Sequence, residues 1–226
     1  MPLDVPTIAA LFAAAYLVGN VSPGLLLARF FGKGDLRAQG SGATGATNAA
    51  RALGGKKWFF AILALDIAKA AFAVLFPPLC LAAEHFPVAS VLCGLGVVAG
   101  HIWPALLGFR GGKGIGPFLG VWLAIGFFPW LAGECGLDST AAFWPRSLLI
   151  APTLLAPIAV GLFFLPLKKG AFMAALCGLW AQPLAFYFLT EDIAAALLAE
   201  VIVVCILTAH RNNFNKAFGK NTDCNA

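Results

Sequence analysis

Charge is scarce in this chain: Asp, Glu, Lys and Arg make up only 11% of it, against 61% hydrophobic residues and a mean hydropathy of +0.88. A soluble globular domain carries about a quarter charged residues, so this composition excludes one and indicates an integral membrane protein. The six cysteines are scattered through apolar runs without a C-x-x-C pair or histidines at ligand spacing, which excludes a zinc or dithiol site and leaves them as small apolar residues. No basic segment precedes the first apolar run, so that run is expected to be a retained helix and not a cleaved signal. No His-x-x-x-x-Asp occurs: five residues after His85, His101 and His210 stand Ser90, Leu106 and Asn215, which removes the usual acyltransferase dyad. Carboxylates never cluster beside the glycine-rich segments, which argues against magnesium-dependent phosphotransfer. No metal and no cofactor are expected.

What is present is a series of apolar runs. A bilayer core about 30 Å thick needs about 20 apolar residues per helix. Seven runs are predicted, at roughly 7 to 29, 57 to 82, 87 to 109, 115 to 133, 147 to 166, 171 to 189 and 192 to 209. The fifth and sixth are separated only by Pro166, Lys168, Lys169 and Gly170, where two adjacent lysines resist burial and predict a tight turn. The fold expected is an all-α membrane protein of seven transmembrane helices, forming one domain over residues 1 to 226.

Short loops rich in Lys and Arg stay cytoplasmic. Thirteen of the fifteen basic residues fall on one side, Arg146 on the other, and Lys69 inside the second run. Asp4, Glu84, Glu134, Asp138, Glu191 and Asp192 lean the opposite way. The amino terminus is therefore expected outside and the carboxyl terminus in the cytoplasm. The three polar stretches of the chain come after runs one, three and seven, so all three emerge on the cytoplasmic face.

The first stretch, Gly40-Ser41-Gly42-Ala43-Thr44-Gly45-Ala46-Thr47-Asn48-Ala49-Ala50-Arg51, has the glycines that let successive N–H groups point at one anion. Thr47 or Asn48 is expected to cap a short helix that carries Arg51 and stops at Gly54-Gly55. A flexible linker is the competing reading. The second, Gly108-Phe109-Arg110-Gly111-Gly112-Lys113-Gly114, places a lysine at the start of the fourth run, where the helix dipole also favours an anion. A positive-inside turn would look similar. Only three residues separate Gly108 from Gly112 and Gly114 comes directly after Lys113, so a nucleotide P-loop is excluded. The third is His210-Arg211-Asn212-Asn213, in which His210 and Asn213 share a helical face as proton shuttle, phosphate donor or interfacial cap. His101 alone reads as a structural histidine. Asp66 and Lys69, at i and i+3 in the second run, are expected to pair facing the interior, either for folding or to brace a site.

These residues resemble the bacterial membrane glycerol-3-phosphate acyltransferases that use acyl-phosphate as donor, the PlsY family. That family shows Gly-Ser-Gly-Asn-x-Gly-Ala-Thr-Asn-x-x-Arg, then Gly-His-x-x-Pro leading into Phe-Lys-Gly-Gly-Lys-Gly, then His-x-x-Asn. Here Gly40-Ser41-Gly42, Gly45-Ala46-Thr47-Asn48 and Arg51 match the first motif. Gly100-His101, Pro104 and Gly111-Gly112-Lys113-Gly114 match the second, and His210 with Asn213 the third. Ala43-Thr44, Arg110, Ala209 and Lys216 depart from the pattern.

The resemblance implies a catalytic set of Ser41, Lys113, His210 and Asn213. It implies substrate binding by Gly42, Thr47, Asn48, Arg51, Lys69, His101, Gly111, Gly112 and Gly114. The implied reaction joins a fatty acyl group from acyl-phosphate to sn-glycerol 3-phosphate, with His210 or a phosphate of the acceptor as base. Implied partners are these two substrates, membrane lipid and a soluble acyl-phosphate synthase, with no nucleic acid, at a bacterial inner membrane. The competing class is a transporter or channel for phosphate-bearing solutes, which would place polar, broken segments at mid-membrane.

Overall fold

A computed structural model describes residues 4 to 77, 81, 85 to 127, 183, 187 and 193 to 211. The runs at 147 to 166 and most of 171 to 189, the Lys168-Lys169 turn, Asn213 and Lys216 lie outside these residues. Among the described residues there are helices and no strand.

The first apolar run is two helices and not one. Helix α1 is Val5–Asn20, opened by Asp4, whose carboxylate accepts from the Thr7 amide at 2.9 Å. Helix α2 is Pro23–Phe30, with Ser22 as its N-cap and Pro23 in its first turn. Proline has no N–H to continue a helix and pushes the residue before it into extended backbone, and Val21 and Ser22 are extended accordingly. The chain leaves the α-helical path here inside an apolar segment of 26 residues that is long enough to cross a bilayer.

Helix α3, Ala46–Leu53, ends at Gly54, whose φ of 77° completes a left-handed C-cap. Helices α4, Lys56–Leu75, and α5, Phe86–Ile102, correspond to the second and third runs, and Val88–Leu107 also has the length and hydropathy of a membrane span. Helix α6, Ile115–Phe127, is apolar throughout, and α7, Ile193–Ala209, is apolar except for Glu200 and Thr208.

Helix α5 is central and packs on α1, α4, α6 and α7. Its Val97, Val98 and Ile102 join Val121 and Trp122 of α6 and Ile202, Val203 and Ile206 of α7 in the main core. Small residues let the backbones close up. A side chain at Gly96 would come within 2.8 Å of the Phe12 carbonyl on α1, and one at Gly116 within 2.8 Å of Asp66 Cβ on α4. Gly116 and Gly120 lie four apart on α6, both against α4, the small-residue spacing by which helices approach in lipid. Large apolar side chains such as Phe60 at 66% and Phe72 at 64% exposure cover the outer face of α4, as expected where the solvent is hydrocarbon. A second, smaller cluster of Leu25, Ala28, Leu36, Ala49 and Ile62 ties α2, α3 and α4 to the loop between residues 31 and 45.

Candidate active site

The first glycine-rich stretch is held from within by Asn48. Its Oδ1 accepts from the Ser41 amide at 3.2 Å. Its Nδ2 donates to the Leu36, Gln39 and Ala43 carbonyls at 3.1, 3.0 and 2.9 Å. Gly40, at φ 56°, passes so close to Asn48 Oδ1 that no Cβ would fit. The cap expected from Thr47 or Asn48 is instead Gly45, which offers no side-chain bond to the first turn of α3. Its amides are thus left for another acceptor.

The second stretch folds back on the end of α5. Helix α5 stops at Trp103 before Pro104, and α1 organises the turn beyond that point. Tyr16 donates its hydroxyl to the Trp103 carbonyl at 2.7 Å, and Asn20 Oδ1 accepts from the Leu106 amide at 3.1 Å. Gly111 and Gly112 then donate to the Ile102 and His101 carbonyls at 3.2 and 2.9 Å. Gly112 lies against the His101 imidazole with no room for a Cβ. One bond joins the two stretches directly, from the Thr44 amide to the Gly111 carbonyl at 3.2 Å. Arg37 adds a second tie: it donates to the Leu107 carbonyl at 2.7 Å while its guanidinium grips Asp35. That grip holds the Asp35 carboxyl well below the usual carboxylate range.

Between the two stretches and α7 lies a cavity of about 520 Å³. Ser41, Thr47, Asn48 and Arg51 line it from the first stretch, Lys113 and Gly114 from the second, and His210 from the end of α7. His101 reaches it from α5. Gly42, Lys69, Gly111 and Gly112 are not part of its wall, and Asn213 lies outside the described residues. Lys69 instead holds the break between α1 and α2. It donates to the Val21 and Gly19 carbonyls at 2.7 and 3.3 Å, and has Asp66 Oδ1 at 2.9 Å and His101 Nδ1 at 3.0 Å. The pairing read from the i, i+3 spacing is thus present.

At His210, Nδ1 lies 2.9 Å from the Ile206 carbonyl. A carbonyl only accepts, so Nδ1 carries the proton and the neutral ring keeps its lone pair on Nε2. Burial, and then the positive charge of Lys113, push the imidazole below its ordinary pKa of 6.5, against the opposing pull of the Ile206 carbonyl. The ring is therefore neutral at pH 7, as proton acceptance requires.

Phe59 and Leu63 of α4 and Gly116 of α6 also line the wall, and sequence reasoning did not identify them; Asp66, expected to pair for folding or to brace a site, lines it too. Phe59, Leu63 and Asp66 stand at i, i+4 and i+7, one face of a helix. That spacing was the available signal, though α4 is apolar on its other faces too. The wall is thus mixed in character. Cations and amides are joined in it by the apolar side chains of Phe59, Leu63 and Ile115, a mixture that suits a ligand with both a charged and an aliphatic part.

The segments that build this cavity have counterparts in known proteins. The family model described as glycerol-3-phosphate acyltransferase matches residues 9–220. Glycerol-3-phosphate acyltransferase 1 of Desulfitobacterium hafniense (strain Y51) is 34% identical over 92% of this chain and 89% of its own. Glycerol-3-phosphate acyltransferase of Jannaschia sp. (strain CCS1) is 41% identical over 73% of this chain and 79% of its own. Among solved structures, the glycerol 3-phosphate form of PlsY, an integral membrane glycerol 3-phosphate acyltransferase, superposes with a TM-score of 0.70 at 28% identity, covering 93% of this chain and 92% of that one. The lysophosphatidic acid form gives a TM-score of 0.69 at 26% identity, covering 93% and 91%. A match running nearly from end to end, over the two glycine-rich stretches and the end of α7 alike, makes this chain a member of the glycerol-3-phosphate acyltransferase family.

Proposed function

We propose that this membrane protein transfers a fatty acyl group from acyl-phosphate to sn-glycerol 3-phosphate, giving 1-acyl-glycerol 3-phosphate and inorganic phosphate, the opening step of phospholipid synthesis. The observation that carries the reading is convergence: Arg51, Lys113 and His210, far apart in sequence, line one cavity with an apolar wall beside them. An acceptor hydroxyl attacks the acyl carbonyl carbon, the bond from that carbon to the phosphate oxygen breaks, and phosphate leaves with the electron pair. The hydroxyl proton goes to His210 Nε2 or to the phosphate of the acceptor. Two phosphates repel unless cations and amides hold them, and the helix α3 amides, Ser41, Arg51 and Lys113 are placed to do so. Asn213 completes this catalytic set, while Gly42, Gly111 and Gly112 shape the loops and Thr47, Asn48, His101 and Gly114 line the phosphate end. Lys69 takes the place of a brace. Family membership favours acyl transfer over the transporter reading.

We further propose seven membrane passes, an outside amino terminus and a site on the cytoplasmic face of a bacterial inner membrane, where a soluble acyl-phosphate synthase can deliver the donor. Thirteen basic residues on one side support this orientation. The joint lining of one cavity by segments after α2, after α5 and after α7 supports it as well. Cysteines placed singly at positions 43 and 213 should be labelled from the same side of sealed vesicles, and labelling from opposite sides would overturn the arrangement. For the reaction, purified protein in detergent is given palmitoyl-phosphate and glycerol 3-phosphate, with lysophosphatidate and phosphate scored together. Folded protein that makes neither product refutes the proposal.

A further inference from the structure

A pocket built to hold phosphates gains nothing from a carboxylate in its wall, because each dianion is repelled by it. Asp66 is nonetheless there, lining the cavity while only 3% exposed. It is the only carboxylate among the described residues of the wall. Its charge balances Lys69, but that task does not require a position on the cavity.

The geometry of the carboxylate is one-sided. Lys69 Nζ at 2.9 Å and His101 Nδ1 at 3.4 Å both face Oδ1. An ionised carboxylate offers about four acceptor positions, so Oδ2 retains capacity for a donor. Asp66 lies ten positions after Lys56, the first residue of α4, which places it about 15 Å along the helix. Phe59 and Leu63 stand on the same face nearer that start, where Lys56 begins the helix after the Gly54-Gly55 turn. Ala49 of α3 packs against Ile62 of α4, and the start of α3, Arg51 and Asp66 line the same cavity, so a ligand whose phosphate meets the cation and the amides can turn its uncharged end toward Asp66.

We infer that Asp66 accepts a hydrogen bond from a hydroxyl of the acceptor, and so selects a polyol phosphate over phosphate itself. The inference rests on the acyl-transfer reading and names the group that recognises the acceptor's carbon end. Because the carboxylate is already shared with the Lys69 ammonium, it acts as an acceptor, and the hydroxyl it holds is the one that is not acylated. Asp66 is in this sense a specificity-determining residue.

The experiment compares glycerol 3-phosphate with 3-hydroxypropyl phosphate, which keeps the reacting hydroxyl and lacks the middle one, using the full-length protein in detergent. Wild-type kcat/KM should favour glycerol 3-phosphate by on the order of 10- to 100-fold, as a hydrogen bond to a charged acceptor implies. In Asp66→Asn, Lys69 fixes the amide with its oxygen toward the ammonium, so the cavity side becomes an N–H donor. The preference should then shrink to about twofold or less, while inorganic phosphate inhibits as strongly as before or more strongly because a negative charge has gone. Equal use of the two acceptors by the wild type overturns the inference without any variant. So does an Asp66→Asn enzyme that keeps the preference, or one in which phosphate inhibition weakens in step with acceptor use, the mark of a merely structural residue. Binding of the two acceptors, measured by thermal shift of the wild type, decides the hydroxyl question even if no lysophosphatidate forms. That last result would refute the acyl-transfer reading separately.

Discussion

Lys69 and Arg51 are both cations near the same cavity, and they do different work. Lys69 has a side chain only 9% exposed, with two carbonyls, a carboxylate and an imidazole within 3.3 Å. Arg51 is exposed on the cavity wall and makes no ion pair among the described residues. The difference lies in the neighbours. A broken helix beside Lys69 supplies carbonyls that must be satisfied where no water reaches, whereas Arg51 sits in the last turn of α3 with its guanidinium on the cavity wall. A cation's role in a membrane enzyme thus depends on whether the surrounding backbone is complete.

That contrast can be broken most directly at Lys69. Lys69→Met leaves Asp66 buried without its ammonium and two carbonyls without a donor, and should lower stability by about 3–5 kcal/mol, read by denaturation in detergent. Unchanged stability would return Lys69 to the substrate side. Arg51→Ala should do the reverse, reducing kcat/KM by about 100- to 1000-fold with stability altered by less than about 0.5 kcal/mol. A large fall in melting temperature would show that Arg51 is structural after all.

A smaller effect sharpens the link between the second stretch and α7. Burial and the Lys113 charge push the His210 imidazole below its ordinary range, so it gives up its proton at a lower pH than a free imidazole does. If it is the base, the acid limb of kcat/KM lies below 6.5, and Lys113→Met moves it upward by removing the opposing charge. A limb that does not move would assign the proton to the acceptor's phosphate. The smallest change is expected for Arg37→Ala. It removes a partly buried pair with Asp35 and one bond to Leu107, and should cost on the order of 1 kcal/mol with a modest rise in the acceptor KM. A loss as large as that of Arg51→Ala would mean the tie between the two loops controls the site.

Much of the candidate site's lining was legible because polar residues are so few here. Ser41, Arg51, Lys113 and His210 stood out against hydrocarbon, and they meet in one cavity. The Asp66–Lys69 spacing likewise announced its pair. Asn48 was read as a cap or substrate ligand, although three of its bonds go to carbonyls of its own loop and a fourth comes from the Ser41 amide. Nothing in local spacing reveals contacts reaching back to Leu36. The break after Asn20 was written as Ser22-Pro23, but hydropathy summed over a whole pass smooths out a two-residue departure. Phe59 and Leu63 escaped because an apolar stripe cannot be seen on a helix that is apolar all round.

The interrupted first pass also has a consequence for biogenesis. When residues 5 to 30 leave the ribosome, the Gly19 and Val21 carbonyls have no donor of their own, since Lys69 lies on a helix not yet synthesised. The amino-terminal segment is therefore expected to keep water beside its kink until α4 emerges, and the two segments to enter lipid together. A truncation ending before Lys69 should insert poorly, and one ending after Leu75 should insert normally.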